Sequence, residues 1–255
     1  MIVFPKIIKW QASTAIVTWA DGTAEELAAM LAANDAGSID ITDYWSVGDE
    51  RTVHLDAMTA GDSFTTAMDA QDVVLVLMDT GTVSGYKDVN DKTVNFVVGQ
   101  KDYLNQGGRM NTTDTNAGSW NGCAMRADLN NKYYNALSAE FRACLKQFKT
   151  ITAQTYNGST NQTSQDYISL FAEKEVFGNL YYDSNPDERA ALKQINYYTV
   201  AANRVKDSKG KNYDYWSRSP YPSDAGYFVI LYKSGSRSSI NRASNVRGIA
   251  PFMCV

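Results

Sequence analysis

Tyr213-Asp214-Tyr215-Trp216-Ser217-Arg218-Ser219-Pro220 and Arg247-Gly248-Ile249-Ala250-Pro251-Phe252-Met253-Cys254-Val255 flank a stretch of quite different composition. Both flanks are aromatic and apolar runs of extended character, each carrying a proline that halts sheet pairing. Between them, residues 221–246 mix Tyr, Ser, Asn, Asp, Arg and Gly. Binding loops draw on that palette, because Tyr supplies contact area at low entropy cost while Ser, Asn and Gly adapt their hydrogen bonds. The pattern predicts strands over 213–219, 227–232 and 248–255, with Ser234-Gly235-Ser236 as a hairpin turn. Two stiff rails would then hold an adaptable surface. Its expected contact residues are Tyr221, Asp224, Tyr227, Tyr232, Arg237, Asn241, Arg242 and Asn245. Trp216 and Arg218 read as scaffold, with Arg218 tying the hairpin to the body through several hydrogen bonds.

Upstream, Val73-Val74-Leu75-Val76-Leu77-Met78 is an unbroken apolar run of strand length, which predicts a central strand. Strands are also expected over 51–55, 93–99 and 167–171, with a turn at Val47-Gly48-Asp49-Glu50 and a polar turn region over 79–92. Residues 109–122 form an Asn/Thr/Gly/Ser-rich loop pinned by Trp120. Helices are expected over 124–134 and 139–148, the second capped by Ser138 and burying Phe141, Leu145 and Phe148. Arg126 in the first reads as structural, like Arg218. Residues 151–165 read as polar, with a tight turn at Asn157-Gly158. A helical turn follows at 173–177, then a helix opening at Pro186 with Asn185 as cap. Lys206 to Lys211 reads as a solvated basic loop.

The N-terminal part has a different character. Residues 1–20 suggest one or two short strands or an extended arm. Thr23-Ala24-Glu25-Glu26 is a capping box, and Leu27, Met30 and Leu31 make one narrow apolar stripe that ends near Gly37. These observations divide the chain into an attachment segment, 1–43, and a body, 44–255.

Composition limits the function. The chain has 255 residues, 44% hydrophobic and 20% charged, enough for a sizeable core without staples. Its 24 basic residues against 28 acidic ones give a net charge of −4, which argues against nucleic acid as partner. No apolar run approaches the roughly 20 residues of a membrane span, and the first ten residues do not read as a secretory leader. Three cysteines, Cys123, Cys144 and Cys254, lack metal-ligand spacing and read as buried thiols. His54 is the sole histidine and sits mid-strand, so any histidine-based triad would depend on it, and no nucleophile elbow accompanies it. No catalytic residue, cofactor or metal is expected.

Several motifs in order now carry a resemblance. They are Trp45-Ser46-Val47-Gly48-Asp49, Met110-Asn111-Thr112-Thr113-Asp114-Thr115-Asn116 with Trp120, and Met125-Arg126-Ala127-Asp128-Leu129-Asn130. Ala172-Glu173-Lys174-Glu175-Val176-Phe177-Gly178, Tyr215-Trp216-Ser217-Arg218-Ser219-Pro220 and Gly248-Ile249-Ala250-Pro251-Phe252 complete the set. From about residue 44 to the end, the chain resembles phage and bacterial domains of the formylglycine-generating-enzyme-like branch of the C-type lectin fold. The resemblance implies an α+β domain of short helices around small antiparallel sheets, used in phage tail-fibre adhesins and in targets of diversity-generating retroelements. It implies a virion surface protein, made in the bacterial cytoplasm, that binds a host cell-surface protein or glycan. By the same analogy residues 1–43 would contact other virion proteins and the assembly would be a homo-oligomer, a trimer. The structural alternative is a capsid or tail decoration protein, and a more remote one is an oxidoreductase of the formylglycine-generating type. That enzyme branch uses a cysteine pair which this sequence does not place. Asn185-Pro186-Asp187 is a superficial echo of a calcium-lectin motif.

Overall fold

The computed structural model describes residues 15–153, 160–179, 186–207, 210 and 214–255. Residues 1–14, the Asn157-Gly158 turn, the Asn185 cap and the Tyr213 end of the first flank lie outside them. Among the described residues the strands are β1 (Glu50–Leu55), β2 (Gln71–Thr80), β3 (Phe96–Gln100), β4 (Phe148–Ala153) and β5 (Asn161–Asp166). β6 (Tyr215–Pro220), β7 (Tyr227–Leu231), β8 (Ser238–Arg242) and β9 (Phe252–Cys254) follow. They build three antiparallel sheets, ordered β1-β2-β3-β9, β4-β5 and β6-β7-β8. Short helices connect them, so the fold is α+β.

The apolar run in β2 is unbroken because the sheet is covered on both faces. Strand side chains alternate: Val73, Leu75 and Leu77 enter one core with Phe96, Val98 and Met253, while Val76 and Met78 enter a second with Val97, Phe252 and Cys254. β1 is an edge, and its second face is open: Thr52 and His54 are exposed, and His54 lies beside Asp72, 2.7 Å away. Gly99 pairs with Phe252, and a methyl group there would fall 2.3 Å from the Met78 sulfur. Its bare Cα is what lets Phe171 stack on Phe252, ring centroids 4.2 Å apart.

The domain boundary expected near Asp43 is not a boundary in packing. The helix Ala24–Asp35 does open with the Thr23–Glu26 capping box and closes at Gly37, φ +69°. Its stripe of Leu27, Met30 and Leu31, with Trp19, lies in the same core as Trp45, Leu75 and Phe141. Trp19 meets Trp45 edge-on at 5.5 Å, and Arg51 reaches back to the carbonyls of Trp19 and Gly22. The narrow stripe finds its partner in the body of the chain.

Four more expectations change. The strand expected over 167–171 does not form, apart from one bridge at Ser169; the strand is β5, immediately before it. β5 reads Asn-Gln-Thr-Ser-Gln-Asp and carries no apolar signal. It pairs because its inward Ser164 and Asp166 are hydrogen-bonded while its other side chains stay at least partly exposed. The helix expected over 139–148 stops at Arg142, since the Lys146 amide turns to the carbonyl of Cys254 and Phe148 already belongs to β4. The first helix instead continues past Tyr134, through a wide π turn at Leu129–Tyr133, to Ala136. That turn sets the Asn130 side chain against the amides of Tyr167 and Ile168 and the carbonyl of Ile168. β2 extends to Thr80, and a helical turn, Gly81–Ser84, occupies part of the expected polar turn.

Candidate ligand-binding face

β6 is buried along its whole length and anchors the sheet. The Trp216 indole donates to the Gly108 carbonyl at 2.8 Å. Arg218, with no exposed surface, forks onto Glu175 at 2.6 and 2.8 Å and also donates to the carbonyls of Leu170 and Ile151. Burial, the largest single influence, would lower its pKa; the Glu175 charge and hydrogen bond, with Tyr86 and Glu188, together outweigh it and hold the guanidinium well above its usual range. A second buried tie lies behind the sheet. Asp166 accepts from the Trp120 indole at 2.8 Å, Arg126 Nε at 2.6 Å and Thr150 at 2.9 Å. Arg218 thus joins β6, and Trp120 and Arg126 join the loop at 109–122 and the helix after it, to the β4–β5 ribbon, while Trp216 ties β6 to Gly108.

On this frame β7 and β8 form a hairpin in register from Tyr227↔Arg242 to Leu231↔Ser238, turning through Gly235 at φ +67°. Phe228 to Leu231 are buried, so β7 is rigid support. None of the eight expected contact residues is buried. They do not form one continuous face, however. Tyr221, Asp224, Tyr227, Arg242 and Asn245 gather at the open end. The Arg242 guanidinium lies over the Tyr227 ring, 5.4 Å from its centroid, and Tyr221 meets Tyr227 edge-on at 6.4 Å. Tyr232 and Arg237, stacked at 5.0 Å, sit at the turn, five residues away and therefore roughly 17 Å along the strand. Asn241 is the exception at the open end. It pairs with buried Phe228, and strand alternation puts both on the side opposite Tyr227 and Arg242.

The sequence reading missed two residues here. Asp114 accepts from Arg242 at 2.8 Å and from the Ser244 hydroxyl at 2.6 Å, and these two donors pull its carboxyl below the usual range. Asn116 is buried, and its amide donates to the carbonyls of Tyr221, Asp224 and Tyr227, at 3.1, 3.0 and 2.9 Å. It holds the 221–227 loop in one shape. Both lie in the Met110–Asn116 motif, whose polar composition marked a loop but not which loop it would clamp.

The sole remaining basic-loop expectation fails at Lys206. This residue is 3% exposed, donates to the carbonyls of Gln100 and Lys101, and lies 5.6 and 5.8 Å from the rings of Tyr198 and Tyr215. Burial pulls its amine down to about 8. The three thiols are unpaired and buried, and burial pushes Cys123 up to about 12 and Cys144 up to about 11. Among the described residues no cluster of metal-ligating side chains occurs and no helix is long and apolar enough to cross a membrane.

The family described as a domain of unknown function (DUF6273) matches residues 95–255, well over half of the chain, so the chain belongs to that family. No curated protein and no solved structure matches it.

Proposed function

We propose that this member of the DUF6273 family is a non-enzymatic phage or prophage virion surface protein, a tail-fibre adhesin with a C-type lectin-like body. It binds a host cell-surface protein or glycan through the hairpin face. The observation that carries this reading is the division of labour in β7 and β8. Every contact residue expected from the sequence keeps exposed surface, and the strand beneath them is packed from Phe228 to Leu231. Such an arrangement tolerates exchange of outward side chains, which suits diversification by a retroelement. Tyr227 and Arg242 form the aromatic and cationic centre typical of binding hot spots. The N-terminal segment, residues 1–43, contacts other virion proteins, and the particle carries the protein as a homo-oligomer, a trimer by analogy.

Adsorption of purified protein to a panel of bacterial cells, read by flow cytometry, tests the proposal. Tyr227→Ala is expected to abolish adsorption, and Tyr232→Ala to reduce it if the hairpin turn also touches the ligand. Full adsorption by a Tyr227→Ala, Tyr232→Ala double variant would reject the hairpin as the binding face and favour a decoration protein of the capsid or tail. A reverse-transcriptase gene with a near-copy of the segment coding for residues 213–255 beside this gene is the genomic counterpart.

A further inference from the structure

Away from the hairpin, a cavity of about 160 Å³ opens between the segment Ser84–Lys87, the β4–β5 ribbon and the residues after the helix Pro186–Ala191. It is smaller than the roughly 300–1,000 Å³ of drug-sized pockets, so its occupant is a small molecule of about one ring. Its walls are apolar: the ring of Tyr86, Ile151 and Leu192. Its floor is polar but already satisfied. Tyr86 donates to Glu175, whose oxygens also accept the Arg218 fork and the Ala172 amide at 2.8 Å. The carboxylate is thereby neutralised by a buried guanidinium, and burial holds the Tyr86 hydroxyl in its protonated form.

Charge is concentrated at the rim. Lys87, Lys149 and Lys193 line it; among the described residues the one carboxylate at the rim is Asp91, which lies 2.5 Å from Lys149. Lys87 donates to a neutral partner, the Thr93 hydroxyl, at 2.6 Å, so its charge is not cancelled there. Lys193 extends to within 4.0 Å of the position a Cβ would take at Gly85, on the opposite side of the opening. An apolar chamber with a saturated floor and a cationic mouth selects for an amphipathic anion. Its apolar body would displace water from the chamber and its charged head would meet the amines.

We propose that this cavity binds a small organic carboxylate, apolar end inward, with its head group held among Lys87, Lys149 and Lys193. The site is independent of the hairpin face and of the adsorption it is proposed to mediate.

Titrations of the full chain followed by amide chemical shifts test it, with benzoate, benzyl alcohol and inorganic phosphate as probes. Benzoate is expected to shift the amides of Tyr86, Ile151 and Leu192 saturably in the millimolar range. Benzyl alcohol, which lacks the charge, and phosphate, which lacks the apolar body, are expected to bind about tenfold more weakly or worse. Lys87 and Lys193 are exposed, so a Lys87→Glu, Lys193→Glu variant is expected to keep the rest of the spectrum while losing about tenfold in benzoate affinity. Benzoate shifts that fail to saturate, that map elsewhere, that either other probe matches, or that survive in the variant would overturn the assignment. None of these results bears on adsorption through Tyr227.

Discussion

A guanidinium with no exposed surface, as at Arg218, persists only where other groups replace its hydration, and here Glu175 and the carbonyls of Ile151 and Leu170 do so. Removing one partner strands the other charge, so Arg218→Ala or Glu175→Ala is expected to cost about 3–5 kcal/mol in chemical denaturation. A cost near zero would show the pair to be dispensable. Lys206 makes the opposite prediction, one about pH. Its folded pKa of about 8 lies below the ordinary 10.5, so between those values the unfolded chain alone holds the proton. Its contribution to stability therefore rises across that window and is lost as pH falls through 8. The unfolding free energy of wild type minus that of Lys206→Met should climb by about 3 kcal/mol at most from pH 7 to 10.5. A flat difference would contradict the buried placement. Of these two residues only Arg218 was legible beforehand, because an arginine between serines after a tryptophan in a strand has few other uses. Lys206 sits in a stretch that looks like any solvated loop. What buries it is Gln100, Tyr198 and Tyr215, and nothing local announces them.

Elements were legible where burial imprints a period on the chain, and illegible where hydrogen bonds do the work instead. β2 was readable because both of its faces are apolar, and the helix Ala24–Asp35 because its cap and stripe are both local. β5 was not, since its inward residues are Ser164, which donates to the Asn121 side chain, and Asp166, which accepts from Trp120, Arg126 and Thr150, all from other segments. The helix offers a direct test of where it belongs. Leu27 is fully buried against the body, so Leu27→Ala is expected to cost about 2–5 kcal/mol, whereas a detachable arm would lose almost nothing. Thr23→Ala removes the cap alone and is expected to cost about 1 kcal/mol.

For the whole molecule, the family match begins at residue 95, yet β3 is hydrogen-bonded to β2 and both sheet faces draw on residues before it. A fragment of residues 95–255 would expose that edge and lack more than a third of the larger core, and is expected to give no cooperative unfolding transition; a sharp transition would mean the match bounds an autonomous unit. Deleting residues 1–43 removes Trp19, Leu27, Met30 and Leu31 from the core, so it is expected to destabilise the body as well as to detach it from a particle. On the proposed function, a rigid frame displays outward side chains which can change without cost to the fold. The most direct test replaces Tyr221, Asp224, Tyr227 and Arg242 together by Ala, then measures thermal unfolding and host-cell adsorption on the same preparation. A cooperative transition that moves by only a few degrees is expected, with stability changed by about 1–2 kcal/mol, and adsorption lost. A collapsed transition, or adsorption equal to wild type, would contradict it.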